Sequence, residues 1–130
     1  MARKNSDVII INGLAVPAPD EGFTISESTY GDFGRNAKNQ VIGQVIGRNL
    51  WKIDGLQWSR LTVEQWKAIK NALSSFFVPV TFTDDANVRH TLTMYPSDRK
   101  GQPMRYIKAT QEFDYVKTCK FNLIDCGWDD

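Results

Sequence analysis

The chain of 130 residues is short of the side chains that most enzyme chemistry requires. It has one histidine, His90, two cysteines, Cys119 and Cys126, and a net charge of +1 from sixteen basic and fifteen acidic residues. Nucleophilic catalysis needs a base beside the nucleophile, most often histidine. His90 falls inside an otherwise apolar alternation, where a hydrogen-bonded structural role is the expectation. There is no G-x-S-x-G, no H-E-x-x-H and no P-loop. An enzyme is therefore not expected. Two cysteines near the C-terminus make neither a disulfide framework nor a zinc or redox motif, and both read as reduced, small apolar residues. The near-zero charge argues against a generally basic nucleic-acid binder. No apolar run approaches the roughly 20 residues that span a bilayer. The opening MARKNSD lacks the apolar segment of a signal peptide, so the expectation is a chain made and kept in a cytosol. No cofactor or metal is expected either. Asp84 and Asp85 read as turn residues, and Asp125, Asp129 and Asp130 as a solvated acidic tail in preference to a cation site.

What is present fits one domain by length, with enough apolar residues for a core. The stretch 62–77 has the only sustained helical period. Trp66, Ile69, Leu73 and Phe76 share a face and are expected to anchor the core, while Lys67, Lys70, Asn71 and Ser74 fall opposite. Thr62 and Gln65 have the spacing of a capping box, and Leu61 and Trp66 that of a hydrophobic staple. The remainder reads as strands. DVIII at 7–11 stops at the turn dipeptide Asn12-Gly13, and LAVPAP, with two prolines, reads as an edge segment or an extended connection. FTISESTY alternates, and LWKIDGLQW changes parity at Asp54-Gly55 as a bulge would make it. VPVTFT and VRHTLTMY make a hairpin around residues 84–87, SDRKGQP at 97–103 reads as a charged loop, and the last third supplies one or two more strands. Strands flanking a single helix, without alternating crossovers, predict a mainly β, α+β fold: an antiparallel sandwich or rolled sheet with one packed helix.

The anomaly is the segment 31–48. GDFGRNAKN reads as a loop or hairpin tip, and QVIGQVIGR repeats Val-Ile-Gly at 41–43 and 45–47. Together they form a projecting arm, basic at the tip and apolar on the return leg. Val41, Ile42, Val45 and Ile46 cannot make a core among glycines, and exposed apolar strands aggregate unless another surface covers them. With Arg35, Asn36 and Lys38 at the tip, they are the candidate subunit-interface residues. A hairpin given to a neighbour in one direction closes into a ring if the rotation permits.

The chain resembles the small phage and prophage tail proteins of Gram-positive hosts. The resemblance rests on IIINGLAVPAP near the start, on Arg35-Asn36-Ala37, on Leu56-Gln57-Trp58 followed by Leu61-Thr62 and a helix, and on Phe121-Asn122-Leu123-Ile124. It implies a structural virion component without enzymatic activity, similar to tail-tube and distal-tail building blocks and placed in the tube, distal tail or baseplate. Such subunits form rings, commonly of six, through a long hairpin, and meet adjacent tail, hub or tape-measure proteins. Nucleic acid would then only pass through the lumen. It also implies assembly in the bacterial host cytoplasm and residence in the virion tail. The alternative from the residues themselves is a β-barrel that binds single-stranded nucleic acid. In that reading Arg105, Tyr106, Lys108, Tyr115, Lys117, Lys120 and Phe121 form a basic and aromatic face.

Overall fold

The computed structural model describes residues 3–29, 31–45 and 47–128. β1 (Asn5–Ile11) turns at Asn12 and Gly13, with φ of 50° and 83°, into β2 (Leu14–Pro17). Both turn residues occupy left-handed backbone, which asparagine tolerates and glycine favours. β3 (Thr24–Ser28), β4 (Gly31–Arg35) and β5 (Val41–Val45) precede the long β6 (Leu50–Thr62) and the helix α1 (Val63–Ala72). β7 (Val78–Thr83), β8 (Arg89–Pro96), β9 (Lys100–Ile107) and the long β10 (Glu112–Asp125) complete the chain.

Eight strands form one antiparallel sheet in the order β2-β1-β7-β8-β10-β6-β3, with β9 added beside β10. β4 and β5 pair only with each other in that scheme, as a separate two-stranded sheet. Among the described residues one helix packs on the main sheet, so the sheet must cover itself. β2 and β6 are five strand steps apart in that order, about 24 Å in a flat sheet. Yet Trp58 Nε1 of β6 donates to Pro17 O of β2 at 2.8 Å. Just beyond β2, Asp20 N donates to Gln57 O at 2.7 Å. The sheet is therefore rolled, with β2 brought round to β6. Val16, Ile9, Ile11, Val80, Phe82, Leu56 and Trp58 are all buried inside the roll. The mainly β class with one packed helix is as expected, in its rolled-sheet form.

Helix α1 begins as its sequence requires. Thr62 Oγ1 accepts from Gln65 N at 3.1 Å, Gln65 Oε1 accepts from Thr62 N at 3.2 Å, and the capping box is complete. Trp66, Ile69 and Leu73 are buried, and Trp66 packs on Phe121 with ring centroids 6.2 Å apart. The helix is shorter than the predicted 62–77. It ends at Ala72 with Leu73 as C-cap, and Phe76 takes a left-handed φ of 67°. Phe76 is consequently 40% exposed and is not a core anchor. Backbone turns from Ser74 N to Asn71 O and from Phe76 N to Leu73 O take over there, and the helix stops before its apolar period does. A second correction concerns 97–103: from Lys100 onward the chain is β9, because Gln102 and Pro103 take up register opposite Lys117 and Val116.

Bulges set the curvature. Gly55 has φ 75° beside the register shift between Phe121 and Leu123, at the predicted parity change. Thr118, a β-branched residue with φ 52°, marks a second bend. Val116 and Cys119 on either side of it are both buried, so Lys117 and Lys120 both lie exposed.

Two substitutions test this packing. A Cβ on Gly101 would lie 2.8 Å from Val116 Cγ1 and 3.0 Å from Trp66 Nε1. Gly101→Ala should therefore cost about 1–3 kcal/mol in urea unfolding. Thr62→Ala should cost about 1 kcal/mol through the lost cap, and an unchanged midpoint in either variant would contradict the contact described.

Candidate assembly interface

The arm is the far end of the hairpin that β3 and β6 begin. β4 and β5 pair from Gly31↔Val45 to Arg35↔Val41. Its tip is built from the candidate residues themselves. Asn36 Oδ1 accepts from Lys38 N and Gln40 N, both at 3.0 Å, Asn39 takes φ 62°, and Arg35 Nη1 donates to Asn39 O at 2.8 Å. Arg35 and Asn36 are thus occupied in shaping the turn. The Lys38 ammonium makes no ion pair among the described residues, and with the exposed Arg35 guanidinium, bonded only to a carbonyl, it keeps the tip basic.

Val41 and Ile42 are 60% and 53% exposed. Adjacent strand residues point to opposite faces, so the hairpin is apolar on both sides at this level. Gly34 faces Ile42 across the ladder and offers it no side chain. Val45 is placed through its backbone pairing with Gly31, and Ile46 lies outside the described residues. An isolated two-stranded hairpin is only marginally stable in water. One with apolar side chains on both faces gains most by being enclosed.

The root of the arm is clamped by Arg48, for which the sequence suggested no role, and by Asp125, which it placed in a solvated tail. Arg48 donates to both carboxylate oxygens of Asp125, from Nη2 to Oδ1 at 2.8 Å and from Nη1 to Oδ2 at 2.5 Å. It also donates to Trp128 O from Nη2 at 2.7 Å and to Asn49 O at 3.0 Å. Trp51 N and Gly127 N complete the Asp125 carboxylate at 3.1 and 2.9 Å. Asn49 is held in turn by Thr29 Oγ1 and Glu27 Oε2, both at 2.7 Å. Asp125 is therefore a buried, bidentate ion-pair partner and not part of a solvated tail, while Asp129 and Asp130 lie outside the described residues. Arg48 and Asp125 are 77 residues apart, and no local spacing in the sequence relates them.

Beside this clamp lies an aromatic patch. Phe76 stacks on Tyr95 with centroids 5.4 Å apart, Phe77 lies 4.9 Å from Phe76, and Trp128 lies 5.1 Å from Phe77. Phe77 and Trp128 are about half exposed. The patch forms because the helix stops early and releases both phenylalanines.

His90 and Asp84 form a separate couple. Nε2 of His90 lies 2.6 Å from Asp84 Oδ2, and the ring packs 4.5 Å from Trp51 and 5.4 Å from Phe82. The other Asp84 oxygen accepts from Ala86 N and Val88 N at 2.8 and 2.9 Å, which closes the predicted turn. The Val88 amide, then the His90 imidazole, hold the Asp84 carboxyl below its usual range. Burial by itself raises Asp125, but Arg48 and the amides of Gly127 and Trp51 outweigh it and leave that carboxyl low as well. Burial pushes the Cys119 thiol up to about 11, as befits a core residue more than a nucleophile. Among the described residues no group of three or more His, Cys, Asp or Glu could hold a metal ion, and no helix is long and apolar enough to cross a membrane. No protein-family model matches the chain, and no curated protein or solved structure matches it either.

Both carboxylates have folded pKa values below the unfolded value of about 3.9. Their stabilisation is present above that pH and is lost as pH falls through the folded values. The urea midpoint should hold steady down to about pH 4 and fall below it, less steeply in Asp84→Asn, and a pH-independent midpoint would contradict the two networks. Arg48→Ala leaves the Asp125 carboxylate buried without its partner. We expect a loss of about 2–4 kcal/mol, below the full cost of breaking a wholly buried pair because Arg48 touches water.

Proposed function

We propose that the chain is a structural component of a bacteriophage or prophage tail whose copies assemble into rings. The observation that carries the proposal is the 31–48 arm: a hairpin outside the main sheet, apolar on both faces at Val41 and Ile42. Its resemblance to tail-tube and distal-tail subunits supplies the biological setting. In this reading the arm of one copy is enclosed by the aromatic surface around Phe77 and Trp128 of the next. The two surfaces lie on different parts of the chain, so the contact is heterologous and repeats around a ring or along a tube. Lys38 lies at the tip, where it meets the rim of the neighbour. The ring would stack on adjacent tail, hub or tape-measure proteins. Its role is mechanical, with no catalytic step and no cofactor, and it is fulfilled in the virion after assembly in the host cytoplasm.

The test is light scattering after size-exclusion chromatography, with electron microscopy of the same fractions. Wild type should give rings or short tubes. A chain lacking residues 32–47, and the full-length Val41→Asp/Ile42→Asp variant, should stay monomeric, the substituted chain with an unchanged circular dichroism spectrum and the shortened one losing only the hairpin's strand signal. Apolar anchors of this kind contribute about 2 kcal/mol each, so Trp128→Ala should weaken self-association roughly 30-fold. A wild-type protein that remains monomeric at the highest attainable concentration, or a variant that assembles as well as wild type, would overturn the assignment.

A further inference from the structure

The outer face of β9, β10 and β6 carries charge that the fold does not use. Lys100 stands directly across from Lys120, and Arg60 directly across from Lys117. Side chains in such pairs have Cβ atoms about 5 Å apart, and like charges so placed destabilise a sheet. Lys100, Lys117 and Lys120 make no ion pair among the described residues. Arg60 lies 3.9 Å over the ring of Tyr115, which orients it without neutralising it. Two nearby carboxylates are taken by other cations: Asp114 pairs with Arg105 at 3.4 Å and Asp54 with Lys52 at 3.3 Å. Asp98 lines the same depression floor as Lys100 and Lys120 without an ion pair to either, one carboxylate against the four cations. That floor is an open depression of about 310 Å³, which also presents Gln57, Ser97 and Asn122.

The left-handed Thr118 is what brings this array out of the core. A regular strand would turn one of Lys117 and Lys120 inward, and the bend between buried Val116 and Cys119 keeps both in water. A strained backbone that gathers uncompensated like charges is the local inconsistency that marks a binding face. At the far end of the same hairpin, Tyr106 and Phe113 pair across the strands with ring centroids 5.3 Å apart, 55% and 42% exposed. Cations along a strand pair beside exposed rings are the two halves of a single-strand binding surface, backbone neutralisation and base stacking.

We propose that this face binds a single-stranded nucleic acid, with Arg60, Lys100, Lys117 and Lys120 on the phosphates and Tyr106 and Phe113 under the bases. The surface differs from the basic and aromatic stretch read from the sequence. Phe121 is buried, Tyr115 has one ring face taken by Arg60, and Arg105 is paired, while Arg60 and Lys100 enter from other strands. It shares no residue with the arm or the aromatic patch, so it does not depend on the ring reading.

Fluorescence anisotropy with a labelled oligothymidylate of about 20 nucleotides tests it. Titrations between about 50 and 200 mM salt should give a log–log slope near −3, from roughly 0.7 per neutralised phosphate over four cations. Lys100→Gln/Lys120→Gln should bring the slope to about −1.4. Tyr106→Ala/Phe113→Ala should weaken binding about tenfold or more and leave the slope unchanged. Lys67→Gln/Lys70→Gln, on the exposed side of the helix, should change nothing. The proposal fails if the oligonucleotide is not bound at about 50 mM salt, if the helix variant loses as much as the sheet variant, or if a duplex of equal length binds as tightly. Binding retained by the monomeric Val41→Asp/Ile42→Asp variant would show that the face acts independently of assembly.

Discussion

A sheet with a single helix to cover it must bury its own apolar face, and that constraint organises the molecule. The bond from Trp58 to Pro17 O and the backbone bond from Asp20 to Gln57 O mark where β2 meets β6 and the roll is drawn together. The inside of the roll is filled by wide side chains of the inner face, and Trp58 and Phe82 are fully buried there. The two longest strands, β6 and β10, form the spine; β6 bends at Gly55, by its register shift against β10, and β10 bends at Thr118, by its register shift against β9. Helix α1 then only has to close the remaining side, with Trp66 against Phe121 and Ile69 and Leu73 beneath it.

Much of this was legible locally because local physics decides it. The capping box at Thr62, the Asn12-Gly13 turn, the parity change at Gly55 and the Asp84 turn each follow from residues within a few positions of one another. What was not legible depends on partners distant in sequence. The period of the helix runs on to Phe77, yet the chain leaves it at Leu73, so apolar spacing alone placed Phe76 in the core. SDRKGQP is polar enough for a loop, and its second half, from Lys100, becomes strand because β10 supplies the partner ladder. The arm was legible as an anomaly, since apolar residues among glycines have nowhere of their own to go. Its anchorage was not, because Arg48 and Asp125 meet only once the roll has formed.

The candidate interface and the charged face show the same division. Lys117, Lys120, Tyr106 and Tyr115 are neighbours in sequence and could be read together. Arg60 and Lys100 join them only through register, from two other strands. The arrangement separates the molecule's exposed chemistry into an apolar region, around the arm root and Trp128, and a cationic region on the β9–β10–β6 face. A protein assembled through the first keeps the second available for a different kind of partner.

The guanidinium at Arg48 also has a mechanical consequence. A tug on the arm is met first by the β3–β6 ladder at its root, whose bonds would open one after another from the pulled end. The bidentate contact with Asp125 diverts part of that tension into the end of β10, which is laced to β6, β8 and β9 along its length. Force entering at the tip is thus spread over several ladders at once. The arm is moored to the strongest part of the sheet.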